Sequence, residues 1–380
     1  MRKSLTINYF ITILSIFFCF LLVEIFFRIF FSSISLDEKT GLESIIVFDD
    51  ILETKYKKNS FTTIVSPYEE FKISYYTNNY GLRSASTNEA NLSSKYKILA
   101  LGNSYVEGWG VDYTDTFLSW AEKTFNFNKE KKIKIINAGI SGYGVLQNYL
   151  NMKKLYEKIQ PDEIIFFYVS TMSQADEKFM KIAEFDKDEI ISGLSLDFIL
   201  NGSNSNTNLD KNITIPSFFT WLSNYSYITK FFIQRYKNYL KSEDVDYGNL
   251  EKDLFATFRD NGLKEYREKI YKHFLAMKIF AERRKIKFKI IYLPIPLQIS
   301  KNEWKKGRLP YKLPDNYDYS KNEYKLNEYC EKEKLDCYFP STTLKEIKKQ
   351  KKVENLYFEY DFHLNKNGNK YLGLWLSDIL

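Results

Sequence analysis

Short apolar runs alternate with amphipathic segments in the first half of the chain. Three runs have the length and mainly apolar character of buried strands, at residues 96–101 (YKILAL), 133–138 (IKIINA) and 163–170 (EIIFFYVS). Between them, apolar side chains recur at helical spacing. They are Phe117, Trp120, Ala121 and Phe125 on the first segment and Val145, Tyr149, Met152, Tyr156 and Ile159 on the second. This β-α-β-α-β series predicts a parallel sheet covered by helices on both faces.

The alternation stops at about residue 171 and resumes at about residue 264. Within the gap, residues 201–212 (NGSNSNTNLDKN) form a polar stretch with no packing face. The later elements are predicted as a helix at 264–284, a strand at 288–295, a helix at 321–333, a strand at 335–339 and a helix at 366–380. We therefore expect one α/β domain over residues 96–380, with an insertion at about 171–263.

Two segments precede this domain. Residues 8–31 form an apolar run close to the ~20 residues that a membrane-spanning helix needs. Arg2 and Lys3 lie before the run, so the positive-inside rule keeps the first seven residues cytoplasmic and everything after the span outside. A cleaved signal peptide is the alternative, with a small-residue site at Ser33 and Ser35, but the run exceeds the ~7–15-residue core of such a peptide.

Residues 32–95, between the span and the domain, are predicted to be a β-rich lead-in segment. They contain three β-like stretches broken by polar turns, ESIIVF, FTTIV and FKISYYT.

Charge limits the class of partner. The 380 residues carry a net charge of +7, with acidic and basic residues interspersed. This suits a soluble surface near anionic neighbours such as lipid headgroups or an acidic glycan. Without a basic block or a known binding motif, a nucleic-acid partner is not expected. Glu24 and Arg28 stand four apart near the outer end of the apolar run and can pair along one helix face.

Three cysteines are present. Cys19 lies in the apolar run, where a cysteine acts as a small apolar filler. Cys330 and Cys337 flank a helix-to-strand turn on the side expected to be oxidising, so they either form a short-range disulfide or remain two free thiols. Nothing around them resembles a metal site.

Ser104 lies where the first predicted strand ends in Gly-Asn-Ser and a helix begins. That position is the carboxyl edge of a parallel sheet, where ligands bind in open α/β folds. Gly102 lets the backbone turn sharply, and the following helix N-terminus favours negative charge. The G-x-S pattern alone is weak, and Val106 replaces the last glycine of a G-x-S-x-G elbow. A plain turn serine therefore remains an alternative.

A catalytic serine needs a base, and the chain has two histidines. His273 falls in the middle of a predicted helix among charged residues, and we expect it to be exposed or half-buried. His363 lies in a polar stretch, two residues after Asp361, whose carboxylate can reach Nδ1 and leave Nε2 for the serine proton. In the alternative, Asp361 is a turn residue, Asn365 is a helix cap and His363 has no part in chemistry.

Three stretches in this order resemble blocks I, II and V of the SGNH (GDSL-like) hydrolases: GNSYVEGWGV, NAGISGYG and DFHLNKNG. The upstream NNYGLRS and the apolar run with its Glu24/Arg28 pair are similar to membrane-anchored members from bacterial surface-polysaccharide pathways. The likeness covers about residues 75–170 and 285–380. It implies a three-layer α/β/α, flavodoxin-like fold with a parallel sheet, preceded here by a transmembrane helix.

The resemblance also implies roles for individual residues. Ser104 is the nucleophile, His363 the base and Asp361 the residue that orients it. The backbone N–H groups of Ser104 and Gly142 are the implied oxyanion donors. Asn103 stands where the family more often has Asp.

The third strand lacks the Asn that normally supplies the last oxyanion donor in this family. Thr171 is nearest to that place, with Ser170 and Ser173 close by, so a hydroxyl is the expected substitute. Loss of one such donor costs ~2.7–4 kcal/mol in the transition state, which slows an enzyme without removing its nucleophile.

The function expected from these residues is a membrane-anchored, extracytoplasmic serine esterase. Its substrate would be an O-acyl group, such as acetyl, on a surface or cell-wall polysaccharide, and no metal or organic cofactor is implied. An O-acetyltransferase with the same triad, served by a membrane acyl-donor protein, is the first alternative. A non-catalytic glycan-binding protein on the same fold is the second.

Overall fold

The structure is a computed structural model. It describes residues 2–30, 41–66, 68–87, 96–196, 198–199, 222, 226, 228–229, 264–309, 318–351 and 353–380. The chain divides into two compact units. One comprises residues 1–40 and 205–250, and the other comprises residues 41–204 and 251–380.

The strands of the second unit follow in chain order. They are β1 Ile46–Asp49, β2 Glu53–Tyr56, β3 Phe61–Val65, β4 Lys72–Thr77, β5 Arg83–Ser84, β6 Tyr96–Gly102, β7 Ile133–Gly139, β8 Glu163–Tyr168, β9 Ala183–Phe185, β10 Ile191–Leu194, β11 Lys287–Tyr292 and β12 Cys337–Tyr338.

The α-helices whose bounds the structure describes are also numbered in chain order. They are α1 Arg2–Phe30, α2 Ser104–Glu107, α3 Phe117–Asn128, α4 Val145–Ile159, α5 Met172–Met180, α6 Lys264–Glu282, α7 Pro296–Ile299, α8 Lys321–Glu333, α9 Ser341–Lys351 and α10 Lys366–Ile379.

The central sheet has five parallel strands in the order β12-β11-β8-β6-β7. Counted by chain position and read from the other edge, this is the 2-1-3-4-5 order of flavodoxin-like, doubly wound sheets. The direction of the connections reverses between β6 and β8. Ligands of such sheets bind at that switch point, outside the carboxyl ends of the strands.

Helices cover the sheet in two layers. Because β-α-β crossovers are right-handed, helices of connections that run in opposite directions lie on opposite faces. Accordingly, α3 packs against α10, whereas α4 packs against α6. Every residue of β8 is buried, as expected of a parallel strand covered on both sides. The α/β architecture with a parallel sheet, predicted from the hydrophobic pattern, is thus confirmed.

The described part of the lead-in segment is β-rich, as expected. Strands β1 and β2 form a hairpin, and β3, β4 and β5 form an antiparallel sheet. Buried residues alternate with exposed or half-buried ones along β3 and β4, so one face of that sheet packs inward. Residues 31–40 and 88–95 of the predicted boundaries lie outside the described residues.

Regular structure continues beyond residue 171, where the alternation along the sequence stops. Residues 172–194 form α5 and the β9–β10 hairpin. These strands have three and four residues, too few to show a period in the sequence. The polar stretch 201–212 lies outside the described residues.

The first unit contains α1, whose C-terminal part carries a charged pair. Arg28 Nε donates to Glu24 Oε1 at 3.0 Å, so the pairing predicted from their spacing is confirmed. Glu24 Oε2 also accepts from Ser226 Oγ at 2.9 Å and from the N–H of Ile228 at 3.3 Å. A buried carboxylate thus links the N-terminal helix to the middle of the chain within this unit.

Among the described residues, no helix combines the length and apolar character required to cross a membrane. The anchor at residues 8–31 and its cytoplasmic N-terminus stay predictions. The alternative cleavage site at Ser33 and Ser35 lies outside the described residues.

Cys330 and Cys337 form a disulfide with an S–S distance of 2.05 Å. It joins the last turn of α8 to β12, at the edge of the parallel sheet. Of the two alternatives that the sequence leaves open, the structure has the bonded one.

Candidate active site

Ser104 is the first residue of α2, directly after the carboxyl end of β6. Asn103 caps this short helix, because its Oδ1 accepts the N–H of Tyr105 at 3.1 Å. The cap explains why Asn serves at a place where the SGNH resemblance leads one to expect Asp, since both side chains offer an acceptor oxygen there.

The end of β7 supports α2 from below. A Cβ on Gly139 would stand 2.3 Å from the N of Glu107 and 2.8 Å from the carbonyl carbon of Val106, so only glycine permits this approach. From the same strand, Asn137 Nδ2 donates to the carbonyl of Val106 at 2.9 Å. These contacts fix the position of Ser104 relative to the edge of the sheet.

The loop before α10 brings His363 and Asp361 to this serine. Ser104 Oγ lies 2.6 Å from His363 Nε2, and His363 Nδ1 lies 2.5 Å from Asp361 Oδ1. With Nδ1–H directed to the carboxylate, Nε2 is left as the acceptor for the serine proton. The structure therefore brings together the three residues that sequence reasoning selected. Asp361 also accepts the N–H of His363 at 2.9 Å, and Asn365 caps α10, so the turn and cap contacts coexist with the Ser–His–Asp chain.

Two aromatic residues that the sequence analysis missed complete the surroundings of His363. Trp109 Nε1 donates to Asp361 Oδ2 at 3.1 Å, on the oxygen that the histidine does not use. Tyr105 O–H donates to the carbonyl of Phe362 at 2.7 Å, and its ring centre lies 4.9 Å from that of the imidazole. Trp109 stands in the GWG stretch after Ser104, and the two flanking glycines were the only sign that this tryptophan has a special place.

The hydrogen bonds on Asp361 keep it ionised. Burial alone raises the pKa of this carboxyl, but the imidazole of His363, together with the bonds from the His363 N–H and from Trp109, outweighs that effect. The pKa of Asp361 therefore lies below its ordinary value. An ionised carboxylate in this position holds the imidazole ring and favours its positive form.

The loop after β7 carries Gly142, with φ at +81°. This conformation is strained for other residues, which is a reason for glycine that the sequence alone did not reveal. A Cβ built on Gly142 would meet no heavy atom within 4 Å among the described residues, so this side of the loop faces open space. The preceding N–H, that of Ser141, is already used, donating to Tyr56 O–H at 3.1 Å.

Thr171 is the N-cap residue of α5, three residues after the carboxyl end of β8. It therefore lies on the same edge of the sheet as Ser104. Its side chain makes no capping hydrogen bond in α5, and Ser173 Oγ instead donates to the carbonyl of Ser170 at 3.0 Å. The hydroxyl of Thr171 as an oxyanion donor stays a prediction.

The expectation for His273 was wrong. This residue of α6 is fully buried, Nδ1 donates to the carbonyl of Lys269 at 2.9 Å, and Nε2 accepts the N–H of Ile191 at 3.1 Å. Burial lowers its pKa to about 4, so the ring is neutral and fixed in one tautomer. The exposed neighbours Glu268 and Lys272 concealed this environment in the sequence.

The arrangement has the parts of nucleophilic acyl transfer: a hydroxyl, a base bonded to it and an ionised group that orients the base. Within the described part of the chain, no group of three or more His, Cys, Asp or Glu side chains is placed to hold a metal ion.

No family model and no curated protein matches this sequence. Solved structures with a similar course of the chain are GDSL-type hydrolases and esterases. The acetyl xylan esterase AlAXEase is 12% identical, covers 75% of this chain and 100% of its own, and has a TM-score of 0.39. A member of the lipolytic protein G-D-S-L family from Veillonella parvula DSM 2008 is 13% identical, covers 75% of this chain and 97% of its own, and has a TM-score of 0.36. The lipase/acylhydrolase from Enterococcus faecalis is 15% identical, covers 74% of this chain and 94% of its own, and has a TM-score of 0.37.

Proposed function

We propose that this protein is a serine ester hydrolase in which Ser104 attacks the carbonyl carbon of an O-acyl group. The observation that carries the proposal is the continuous chain from Ser104 Oγ through His363 to the Asp361 carboxylate, with links of 2.6 and 2.5 Å. A base within hydrogen-bond reach of the nucleophile, itself oriented by a third group, is the arrangement that activates a serine.

The proposed reaction runs in two halves. As Ser104 Oγ bonds to the carbonyl carbon, its proton passes to His363 Nε2 and the carbonyl electron pair moves to oxygen. Collapse of this intermediate breaks the bond to the alcohol oxygen, which takes the proton from Nε2 and leaves an acyl-enzyme. Water then gives a proton to Nε2 and adds to the acyl carbon, after which the acid departs and Ser104 regains its proton.

The negative oxygen of each intermediate needs donors. The N–H of Ser104 has no intrahelical partner because it is the first of α2, and Gly142 presents its open side on the neighbouring loop. We assign the oxyanion to these two N–H groups and propose the Thr171 hydroxyl as the third donor, in place of the absent Asn. Each donor of this kind contributes ~2.7–4 kcal/mol to the transition state.

We further propose that the acyl group is carried by a polysaccharide outside the cytoplasm, with residues 8–31 as the membrane anchor. In support, Tyr68 and Tyr360 stack with ring centres 4.7 Å apart and an interplanar angle of 11°, next to Asp361. Tyr68 is 60% exposed and offers its ring to a sugar, while Lys306 Nζ lies over the Tyr360 ring, 5.1 Å from its centre. The Cys330–Cys337 disulfide is typical of an oxidising compartment.

The hydrolase is tested with the full-length protein in detergent, p-nitrophenyl acetate and a fluorophosphonate that labels active serines. Wild type should turn over the ester and be labelled at Ser104, and Ser104→Ala should abolish both. Ser192→Ala, at an exposed serine of the β9–β10 hairpin, is the control and should retain both. Unlabelled, inactive wild type that is folded by circular dichroism would refute the proposal and favour the non-catalytic alternative.

The substrate class needs a second assay. Release of acetate from an O-acetylated polysaccharide should depend on Tyr68 and Tyr360, so the double Ala variant should raise KM for the polymer while leaving p-nitrophenyl acetate unaffected. Equal loss on both substrates would argue against a sugar-binding role for the pair. Adding an unacetylated glycan distinguishes hydrolysis from transfer, because a transferase would acylate the glycan and release less acetate.

A further inference from the structure

Three loops form the proposed active site, and each is bonded to a side chain of the β-rich segment, which we define as residues 41–87. The serine loop spans residues 103–111, the glycine loop spans residues 139–144, and the histidine loop spans residues 357–364. All of them belong to the same compact unit as the β-rich segment.

Glu70 holds the histidine loop. Its carboxylate accepts three consecutive backbone N–H groups, from Glu359 at 2.7 Å, Tyr360 at 3.0 Å and Asp361 at 2.9 Å. Bonds from N–H groups to a charged carboxylate are roughly twice as strong as neutral ones. The last of these donors is the backbone of the residue that orients His363.

Tyr56 holds the glycine loop. Its hydroxyl accepts the N–H of Ser141 at 3.1 Å and donates to Glu107 Oε2 at 3.0 Å. Burial raises the pKa of Tyr56 well above its ordinary value, so the hydroxyl keeps the proton that it donates. The bond to Ser141 fixes the peptide unit that directly precedes the one carrying the N–H of Gly142.

Arg83 holds the serine loop. Its Nη1 donates to the carbonyls of Glu107 at 2.7 Å and Gly108 at 2.5 Å, and its Nη2 donates to the carbonyl of Val111 at 2.5 Å. The guanidinium is buried and lies over the ring of Tyr75, 4.8 Å from its centre. These carbonyls follow the helix that begins with Ser104, so the guanidinium fixes its carboxyl end.

We propose that Glu70, Tyr56 and Arg83 are positioning residues for the proposed reaction and that the β-rich segment is part of the active site. This inference rests on the proposed function. Each of the three residues makes at least one contact within three residues of an atom that the reaction uses: the carboxylate of Asp361, the N–H of Gly142 or the hydroxyl of Ser104. The three residues hold loops from three different parts of the chain in one frame, and a misplacement of about 1 Å in such a site costs ~10²-fold in rate.

The Glu70 contact gives the sharpest test. Glu70→Gln keeps the shape but replaces one acceptor oxygen with an NH₂ group that faces backbone donors. We expect kcat for p-nitrophenyl acetate to fall about 10-fold or more with KM within twofold, and labelling of Ser104 to slow in parallel. Glu70→Asp, which retains the charge, should recover part of the rate. Glu69→Gln, at an exposed neighbour whose N–H bonds to Ser66 of the same turn, is the matched control and should be unchanged.

Tyr56→Phe tests the glycine loop independently. It removes the acceptor of the Ser141 N–H and should lower kcat about 5- to 10-fold without changing KM. Tyr76→Phe is its control, because that half-exposed ring on β4 packs against Phe61 of β3, with 4.8 Å between ring centres.

The outcomes separate the two proposals. Wild type no more active than Ser104→Ala refutes the proposed function. Active wild type with unchanged kcat in Glu70→Gln and Tyr56→Phe refutes the positioning role and leaves the proposed function standing. Thermal denaturation gives the fraction of each variant that is unfolded, so kcat can be expressed per folded molecule. If that corrected kcat equals the wild-type value, the positioning role is also refuted, because the residues then serve stability alone.

Discussion

Replacing Trp109 by Phe tests a contact of the Asp361 carboxylate that the sequence did not suggest. The substitution removes the indole N–H that donates to Asp361 Oδ2 at 3.1 Å. It leaves an aromatic ring in the place that packs edge-on against Phe71, 6.1 Å between ring centres. Asp361 keeps its bonds from His363 but loses the contact that holds its second oxygen, so the carboxylate is free to rotate away from Nδ1.

The magnitude follows from the chemistry of that bond. A hydrogen bond to a charged group contributes ~1.5–3 kcal/mol, and each 1.36 kcal/mol lost from transition-state stabilisation is a factor of ten in rate. We therefore expect kcat to fall about 10- to 100-fold, with KM within twofold, since the indole N–H is directed at the carboxylate. Trp120→Phe, a half-buried tryptophan on α3 outside the site, should leave kcat unchanged.

The same substitution has a pH signature. The pKa of Asp361 is below its ordinary value in the folded protein, so this carboxylate stabilises the fold above pH ~3.8 and loses that contribution as pH falls through its folded pKa. Removing the Trp109 bond raises that pKa and shrinks the contribution. Urea unfolding at pH 7 and pH 3 should show a smaller acid-induced loss of stability in Trp109→Phe. A variant with wild-type kcat and the same pH dependence would refute the role given to the indole.

Three further predictions concern the surrounding structure. Gly142→Ala places a Cβ at a φ of +81°, which costs ~1 kcal/mol or more in strain. Displacement of the loop should lower kcat at least tenfold in steady-state kinetics, and an unchanged kcat would exclude this loop from catalysis. Because the pKa of buried His273 is about 4, the unfolded chain binds a proton between pH 6.5 and 4 that the folded protein does not. Urea titrations should therefore show that the free energy of unfolding falls by ~3 kcal/mol over this window, and by less in His273→Gln. The Cys330–Cys337 bond closes a loop with a sequence separation of 7, so the double Ala variant should lose about 2–3 kcal/mol of unfolding free energy, and a loss under 0.5 kcal/mol would contradict that expectation.

The sequence predicted the sheet and the Ser–His–Asp residues better than the contacts that hold the site in place. The strands after which Ser104 and Gly142 lie are long and apolar, and two histidines in the whole chain left a short search for the base. The apolar pattern of the strands was therefore enough to place the sheet. The position of His363 two residues after Asp361 was enough to select both residues.

The supporting contacts were hidden because they join distant parts of the chain. Glu70 is 291 positions from Asp361, and Tyr56 is 85 positions from Ser141, and no spacing rule connects such pairs. Nor does a sequence window reveal that His273 is buried, since charged residues precede it at positions 267–269 and 272. The short strands β9 and β10 failed for a different reason, because they are too brief to establish an alternation.

The contact of Glu24 with Ser226 and Ile228 has a practical consequence for anyone who prepares this protein. Deleting the first 40 residues, the usual route to a soluble sample, would also delete the carboxylate that accepts bonds from the middle of the chain. Ser226 Oγ and the N–H of Ile228 would then lose that acceptor. A shortened sample is thus an altered protein, and activities measured on it should be compared with those of the intact polypeptide in detergent.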